Sequence, residues 1–461
     1  MKLRQICFFY ISFSILLTAL LFTGCSSESQ GPPGGISDGD ADGDSDNDND
    51  SSGDSNGGDS EDDEIVGDTD IYVVVPYLWV SNSHDGTVSK INTQEAVEEA
   101  RYITCPPEIG TYCDPSRTSV NLHGDVIVTN RAPYMGDLVP SPSSVTKIIA
   151  NKLECIDRNG DNIIQTSTGP DDILGWGEDE CVAWNTRLPD NSGARATAWD
   201  GNTNPETGEG GNVLIGTCIT GNGDLFPSDN YDHNVVYVFD GTTGEEKSIL
   251  EFPSDWTLEC FYGGAVDARG WVWIMDGYGA PHSLRAINPA NPGSDVFARV
   301  PQCGYGIAVD GAGRVWLGGD YRQNGSHSCV SRYDRLAPTD SREQITELFE
   351  NESLRGIAVG TKISAGYVWA VESAGKLYKI NQETLAVEGE YIIRNLGGSN
   401  GLVGVAVDYD GYIWLVSPLD DAVYKFDPNN PDNIITVPVG DYPYTYSDMT
   451  GMQLKAAISV E

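Results

Sequence analysis

Along most of this chain, short runs of β-branched and aromatic residues alternate with stretches of Gly, Asn, Asp and Pro. Runs of that length suit strands, and the residues between them mark turns. The runs are also grouped. Gly306-Ile-Ala-Val-Asp310-Gly-Ala-Gly313-Arg-Val-Trp316 returns almost letter for letter as Gly404-Val-Ala-Val-Asp408-Tyr-Asp-Gly411-Tyr-Ile-Trp414. A looser copy runs from Gly263 to Trp273, and Gly356-Ile-Ala-Val359 leads to Gly366-Tyr-Val-Trp369 with a longer turn. Starts at 263, 306, 356 and 404 set a period of 43 to 50 residues.

That period falls in the range of propeller blades, each a small antiparallel sheet that buries its faces only against its neighbours. Each repeat parses as four strands: residues 306–310, 314–317, 329–334 and 345–349 in the fifth, with the same plan in the sixth and seventh and more divergent copies upstream. The first blade starts at Tyr77-Leu-Trp79-Val-Ser-Asn82, the second strand of the plan, so its innermost strand is missing. Residues 446–454 follow the seventh blade without a blade of their own. The expectation is an all-β chain: a seven-bladed β-propeller of four-stranded antiparallel blades, its ring closed by a C-terminal strand that completes blade 1. Trp273, Trp316, Trp369 and Trp414 recur at one blade position and read as packing residues. Gly-Ile-Ala-Val-Asp followed by Val-Trp, and Trp79-Val-Ser-Asn82 followed by Gly86-Thr-Val-Ser-Lys-Ile91, resemble the NHL-like and streptogramin-lyase-like propellers over nearly all of residues 72–454.

Charge divides the chain differently. Of the formal −42, residues 26–70 hold 16 acidic groups and no basic one, leaving −28 (53 acidic against 25 basic) for residues 71–461. A surface so acidic makes nucleic acid and anionic lipid poor partners. Residues 26–70 contain almost nothing to bury and read as an acidic disordered linker, about 35 to 40 Å in root-mean-square span before charge repulsion extends it. Ahead of it, Lys2 and Arg4 precede an apolar stretch over residues 6–22, the build of a secretory signal. Leu21-Phe22-Thr23-Gly24-Cys25 resembles the bacterial lipobox, with Phe22 where leucine is usual. The resemblance implies lipid attachment at Cys25, export, and a membrane anchor in the cell envelope. Ser26 and Ser27 resemble the residues that follow the cysteine in lipoproteins sorted to the outer membrane. The domain plan is therefore 1–25 signal, 26–70 linker and 71–461 propeller, with an insertion at 155–181.

Apart from Cys7 and Cys25, eight cysteines remain: Cys105, Cys113, Cys155, Cys181, Cys218, Cys260, Cys303 and Cys329. An even number in an exported chain points to disulfides, and although eight cysteines allow 105 pairings, sequential pairs are expected. The pairs 105–113 and 155–181 each bracket an insertion. Inside the second, Asp157-Arg-Asn159-Gly-Asp161-Asn-Ile163-Ile164 resembles the calcium loops of EF-hand and dockerin modules. Side-chain oxygens of Asp157, Asn159 and Asp161 and the carbonyl of Ile163 fall at the ligand spacing of such a loop. Asn162 replaces the usual glycine, and Thr168 stands where a bidentate glutamate belongs. A structural calcium ion and a disulfide-stapled polar loop are both open readings.

In propellers of this type the residue just before each innermost strand faces the mouth of the central funnel. That position holds Ser116, Arg195, Tyr262, Tyr305, Arg355, Val403 and Asp448. Arginines, tyrosines and a carboxylate converging there would suit a small anionic, peptidic or sugar ligand; filling and solvating the mouth is the plainer alternative. The streptogramin lyases pair glutamates with histidines, including a Glu-x-His motif, around magnesium. None of the five histidines here follows a glutamate at that spacing, and no nucleophile-elbow, P-loop, dinucleotide or zinc-protease motif occurs. Three functions stay open: a surface-anchored propeller binding a small molecule or protein partner without catalysis, a metal-dependent lyase with a rearranged site, and a structural envelope protein.

Overall fold

The computed structural model describes residues 76–458 apart from 110–112, 132–142, 190–192, 221–230, 253–260, 277–281, 292–295, 301–302, 322–326, 339–340, 351–352 and 395–400. The chain divides into a unit over residues 1–68 and another over residues 69–461. All described residues belong to the second.

Seven antiparallel sheets follow one another along it. Blade 1 contains β1 (Tyr77–Asn82), β2 (Thr87–Asn92) and β3 (Val97–Ile103). Blade 2 has β4 (Pro115–Val120), β5 (Val126–Asn130), β6 (Ser144–Ile148) and β7 (Val182–Arg187). Blade 3 has β8 (Ala196–Trp199), β9 (Asn212–Thr220), β10 (Tyr231–Asp240) and β11 (Glu246–Phe252). Blade 4 comprises β12 (Phe261–Val266), β13 (Val272–Asp276), β14 (His282–Ile287) and β15 (Val296–Val300). Blade 5 comprises β16 (Gly306–Val309), β17 (Val315–Tyr321), β18 (His327–Tyr333) and β19 (Glu343–Glu350). Blades 6 and 7 hold β20 (Leu354–Val359), β21 (Tyr367–Glu372), β22 (Lys376–Asn381), β23 (Val387–Ile392) and β24 (Gly404–Val407), β25 (Ile413–Ser417), β26 (Ala422–Phe426), β27 (Ile434–Pro438).

The repeated phrase has a local chemical cause. Asp310 directly follows β16, and its buried carboxylate accepts from the amides of Ala312 and Arg314, from Arg314 Nε, and from the indole Nε1 of Trp316 at 2.8 Å. Asp267 and Asp408 accept from Trp273 and Trp414 in the same way. One carboxylate thus closes the turn between the first two strands and satisfies a fully buried tryptophan. Blade 6 departs from the phrase: Gly360 replaces the aspartate, and Trp369 Nε1 has no hydrogen-bond partner among the described residues. The indoles also form the seams between blades, as where Trp316 packs with Leu354, Ile357 and Val368 of the next blade. The glycines that open the phrase sit where innermost strands nearly touch. A Cβ on Gly306 would lie 2.6 Å from Arg355 O, and one on Gly356 2.7 Å from Val405 N.

Blade 1 is three-stranded, and residues 442–449 lie along β1 on its free edge. Tyr444 N donates to Ser81 O, Trp79 N to Met449 O and Ser83 N to Tyr442 O, with an antiparallel bridge between Asn82 and Pro443. The segment differs from the strand expected at 446–454. It starts earlier, stays irregular, and is followed by a helix, α1 (Met452–Ile458). Asp448 explains the change: its carboxylate accepts from the amides of Thr450, Gly451 and Leu454, capping the helix before a strand can continue. Leu454 and Ala457 then pack among Trp199, Val266 and Val309, the last residues of innermost strands, so α1 stops the far end of the central channel.

Among the described residues there are three disulfides: Cys105–Cys113, Cys155–Cys181 and Cys303–Cys329. They indicate maturation outside a reducing cytosol. Cys260 and the side chain of Cys218 lie outside the described residues, as do Cys25, the signal and the linker. No helix among the described residues is long and apolar enough to cross a membrane.

Candidate functional site

The near end of the channel, where the innermost strands begin, collects arginines and tyrosines from most of the ring. Arg195, Tyr262, Tyr305 and Arg355 meet there. Arg355 Cζ lies 4.6 Å from the Tyr305 ring centre and Arg195 Cζ 5.1 Å from that of Tyr262. Tyr262 and Tyr305 pack edge to face at 5.0 Å. Val403 is buried in the adjoining blade seam and adds an apolar wall. Asp448 does not join them. Lying at the head of α1, it is held by backbone amides, and burial raises its pKa to about 6.

Backbone bulges set several of these positions. The pairing register slips around Ser116 in blade 2, around Tyr262 in blade 4, and between Leu354 and Ile357 in blade 6. A bulge re-aims the side chains beside it. In blade 2 it puts Arg117, rather than Ser116, among the tyrosines: Arg117 Cζ is 3.2 Å from the Tyr446 ring centre and 4.7 Å from that of Tyr262. The closing segment supplies Tyr444 and Tyr446, with Tyr305 and Tyr444 hydroxyls 2.5 Å apart. Arg131, ion-paired to Asp114 at 2.5 Å, reaches over Tyr444. Two disulfides brace the cluster, Cys105–Cys113 just ahead of Asp114 and Cys303–Cys329 just ahead of Tyr305.

The cluster has a floor and a rim. Arg117, Tyr262, Tyr305 and Tyr446 are buried, whereas Arg131, Arg195, Arg355 and Tyr444 are partly exposed. Arg117 is fully enclosed; Nη1 donates to Ser116 O at 2.9 Å, while Nε and Nη2 have no hydrogen-bond partner among the described residues. Burial pulls its pKa down to about 10. For Tyr262 burial works to raise the pKa, but the charges of Arg195 and Arg117 together with hydrogen bonds from Tyr305 and Tyr444 outweigh it and bring the phenol down to about 7. Burial and the neighbouring Tyr262 drive Tyr305 and Tyr444 upward. Among the described residues the cluster is therefore rich in guanidinium charge, in a chain whose formal net charge is −42.

The insertion forms a separate structure. Asp157 accepts from the amides of Gly160 and Asn162, Asn159 from Asp161, and Asp161 from Ile163. Asn162 takes the left-handed conformation (φ 64°) that the glycine of a calcium loop would take. Glu180 closes the loop by accepting from the amides of Arg158 and Gln165, whereas Thr168 bonds Asp172 and faces away from that role. Beside the insertion a cavity of about 450 Å³ is lined by Tyr77, Lys90, Tyr102, His123 and Glu154 among others. His123 is set between Pro205 O and the Glu154 carboxylate, apart from the funnel. His84 stacks on Tyr442 at 4.2 Å. The side chains of His233, His282 and His327 lie outside the described residues.

The fold and this axial cluster define the chain as a seven-bladed β-propeller with a guanidinium- and phenol-lined funnel mouth. No protein-family model matches it, and no curated protein does. Solved structures that resemble it include virginiamycin B lyase from Staphylococcus aureus, at 17% identity over 51% of this chain and 70% of that one, with a TM-score of 0.38. AztD from Citrobacter koseri is 12% identical over 80% and 96% of the two chains, with a TM-score of 0.47. Kuenenia stuttgartiensis hydrazine synthase is 13% identical over 72% and 88%, with a TM-score of 0.48. At these identities the likeness is one of fold.

Proposed function

We propose that this chain is an exported, lipid-anchored binding protein whose funnel mouth holds a small anionic ligand. The enclosed Arg117 carries the reading. A buried guanidinium is costly without compensating negative charge, yet the propeller places this one beside Arg195 and under a rim that includes Arg355. The strongest charges acting on it come from phenols and from Arg195. A carboxylate, phosphate or sulfate group would meet Arg195 and Arg355 directly and feel Arg117 from below, and the tyrosines would contact its organic part. Inorganic sulfate is a suitable probe. It should bind the wild-type propeller, and an Arg195→Ala/Arg355→Ala double variant should lose about 100-fold or more in affinity, from charge-assisted hydrogen bonds of roughly 1.5 to 3 kcal/mol each. Unchanged sulfate binding in a folded double variant would refute the site.

Cys25 and the linker belong to the same reading: acyl chains would hold the domain to the envelope, with the outer membrane the favoured location, and the acidic spacer would hold it away from the bilayer. A calcium ion in the 157–163 loop would be structural. Chelation should then lower the unfolding temperature of the wild type but not of an Asp157→Ala variant. Identical melting with and without chelator would leave a loop closed by Glu180 and the disulfide alone.

A further inference from the structure

Away from the funnel, one enclosed histidine has both ring nitrogens committed. His123 lies in the turn between β4 and β5, with its side chain 4% exposed. Asn121 draws that turn tight by accepting from the amides of His123 and Asp125. Nδ1 of the ring faces the main-chain oxygen of Pro205 at 2.8 Å, and Nε2 faces the Glu154 carboxylate. Pro205 belongs to the turn between β8 and β9 of the next blade. Gly208 of that turn lies so close that a Cβ would stand 2.9 Å from His123 Cδ2. Glu154 ends a one-turn 3-10 helix, Lys152–Glu154, and directly precedes the disulfide that staples the insertion. The other charged groups are Asp125 on the ring's own turn, paired to Lys147 of β6 at 3.1 Å, and Lys90, Glu99, Lys152 and Glu206, which line the cavity that His123 and Glu154 also border.

A carbonyl and a carboxylate only accept hydrogen bonds, whereas a neutral imidazole has one N–H and one lone pair. A neutral ring would satisfy one of its two partners and turn a lone pair toward the other. The two contacts together therefore hold one proton more than a neutral ring beside a carboxylate. We infer that His123 is a proton-operated latch: with that proton it pins the start of the insertion against the turns of blades 2 and 3, and without it the ring keeps Pro205 and releases Glu154. Glu154 is the partner that leaves because its side chain is 37% exposed, so water can replace the ring. Burial works against the charged ring, but the Pro205 carbonyl and the Glu154 and Asp125 carboxylates outweigh it and hold the pKa above its ordinary value. A histidine raised in this way contributes stability that is complete below the unfolded value of about 6.5 and is lost as pH rises through the folded one. The latch is shut in mild acid and open in alkali.

Nitrogen-15 spectra of the histidine rings in the full chain read the proton directly. One of the five histidines should stay more than half protonated at about pH 6.5, with hydrogen on both ring nitrogens, and His123→Asn should remove that signal. Glu154→Gln should move the same titration to lower pH, which assigns it even where His123→Asn fails to fold. Hydrogen exchange, corrected for its intrinsic pH dependence, reads the latch itself. The amides of Glu154 and Cys155, bonded to Asn151 O and Lys152 O, should lose about tenfold or more in protection between about pH 6 and about pH 9, the worth of one charge-assisted hydrogen bond. Amides of β25 and β26 should not change. In Glu154→Gln the carboxamide donates to a neutral ring as readily as it accepts from a charged one, so protection should stay level across that range; Glu154→Ala should be weakly protected throughout. A His123 that titrates at or below about 6.5 overturns the latch. So does wild-type protection that is level with pH, or a loss equally steep in Glu154→Gln, which would trace it to another group.

Discussion

An Asp310→Ala variant should lose about 3 to 5 kcal/mol of unfolding free energy, the range for breaking a buried, hydrogen-bonded charge pair. Chemical denaturation with an unchanged slope is the measurement. The size follows from what one carboxylate holds: two turn amides, Arg314 Nε and the Trp316 indole, all within 3.0 Å. Removing it leaves donors facing a cavity, each of which costs more unpaired than it contributes when paired. Asp310→Asn should lose less, since it keeps an acceptor oxygen but forfeits the charge offered to Arg314. The sixth blade supplies the contrast. Writing aspartate into Gly360 should not rescue the unpartnered Trp369, because a Cβ there would collide with the carbonyl of Ser364. A loss below about 1 kcal/mol for Asp310→Ala would show that the turn closes without its carboxylate.

The second large effect is expected at Gly404. A Cβ there would overlap Thr445 O in the closing segment. Gly404→Ala should therefore cost at least the 1 to 3 kcal/mol of an overpacked site. Because Thr445 lies between Tyr444 and Tyr446, the same change should weaken sulfate binding without touching a site residue. Gly313→Ala is the control: its φ of 76° disfavours a side chain, but nothing stands within 4 Å of the added atom. It should cost only the roughly 1 to 2 kcal/mol of a left-handed backbone and leave binding unaltered. Equal effects of the two on binding would dissociate the closing segment from the funnel.

Much of this architecture is legible in the sequence because each blade solves the same packing problem with the same residues. The Asp–Trp pairing recurs in blades 4, 5 and 7, and the missing first strand of blade 1 is visible as an absence in the pattern. The funnel position could be read wherever a blade keeps that pattern, which is why Arg195, Tyr262, Tyr305 and Arg355 were accessible. Arg117 was not, since a one-residue bulge decides whether it or Ser116 faces the axis, and a bulge leaves no trace in the hydrophobic period. Tyr444 and Tyr446 belong to a segment with no repeat to align against. The alternation of Tyr442, Tyr444 and Tyr446 was the available signal: residues two apart share a face of an extended chain. Asp448 shows the converse, a residue at an aligned position whose local hydrogen bonding turned it into a helix cap.

The closing segment bears on the order in which the molecule acquires its properties. Residues 442–458 complete the first blade, provide two of the site's tyrosines and stop the opposite end of the channel, and all three roles fall to one segment that returns from the seventh blade to the first. Until that segment docks, blades 2 to 7 can be complete while the cluster at the funnel mouth still lacks Tyr444 and Tyr446. Contacts between chain segments so distant in sequence form late, since closing such a loop is entropically costly. Molecules with the closing segment docked and undocked would therefore differ sharply in anion affinity, so that binding competence reports a closed ring.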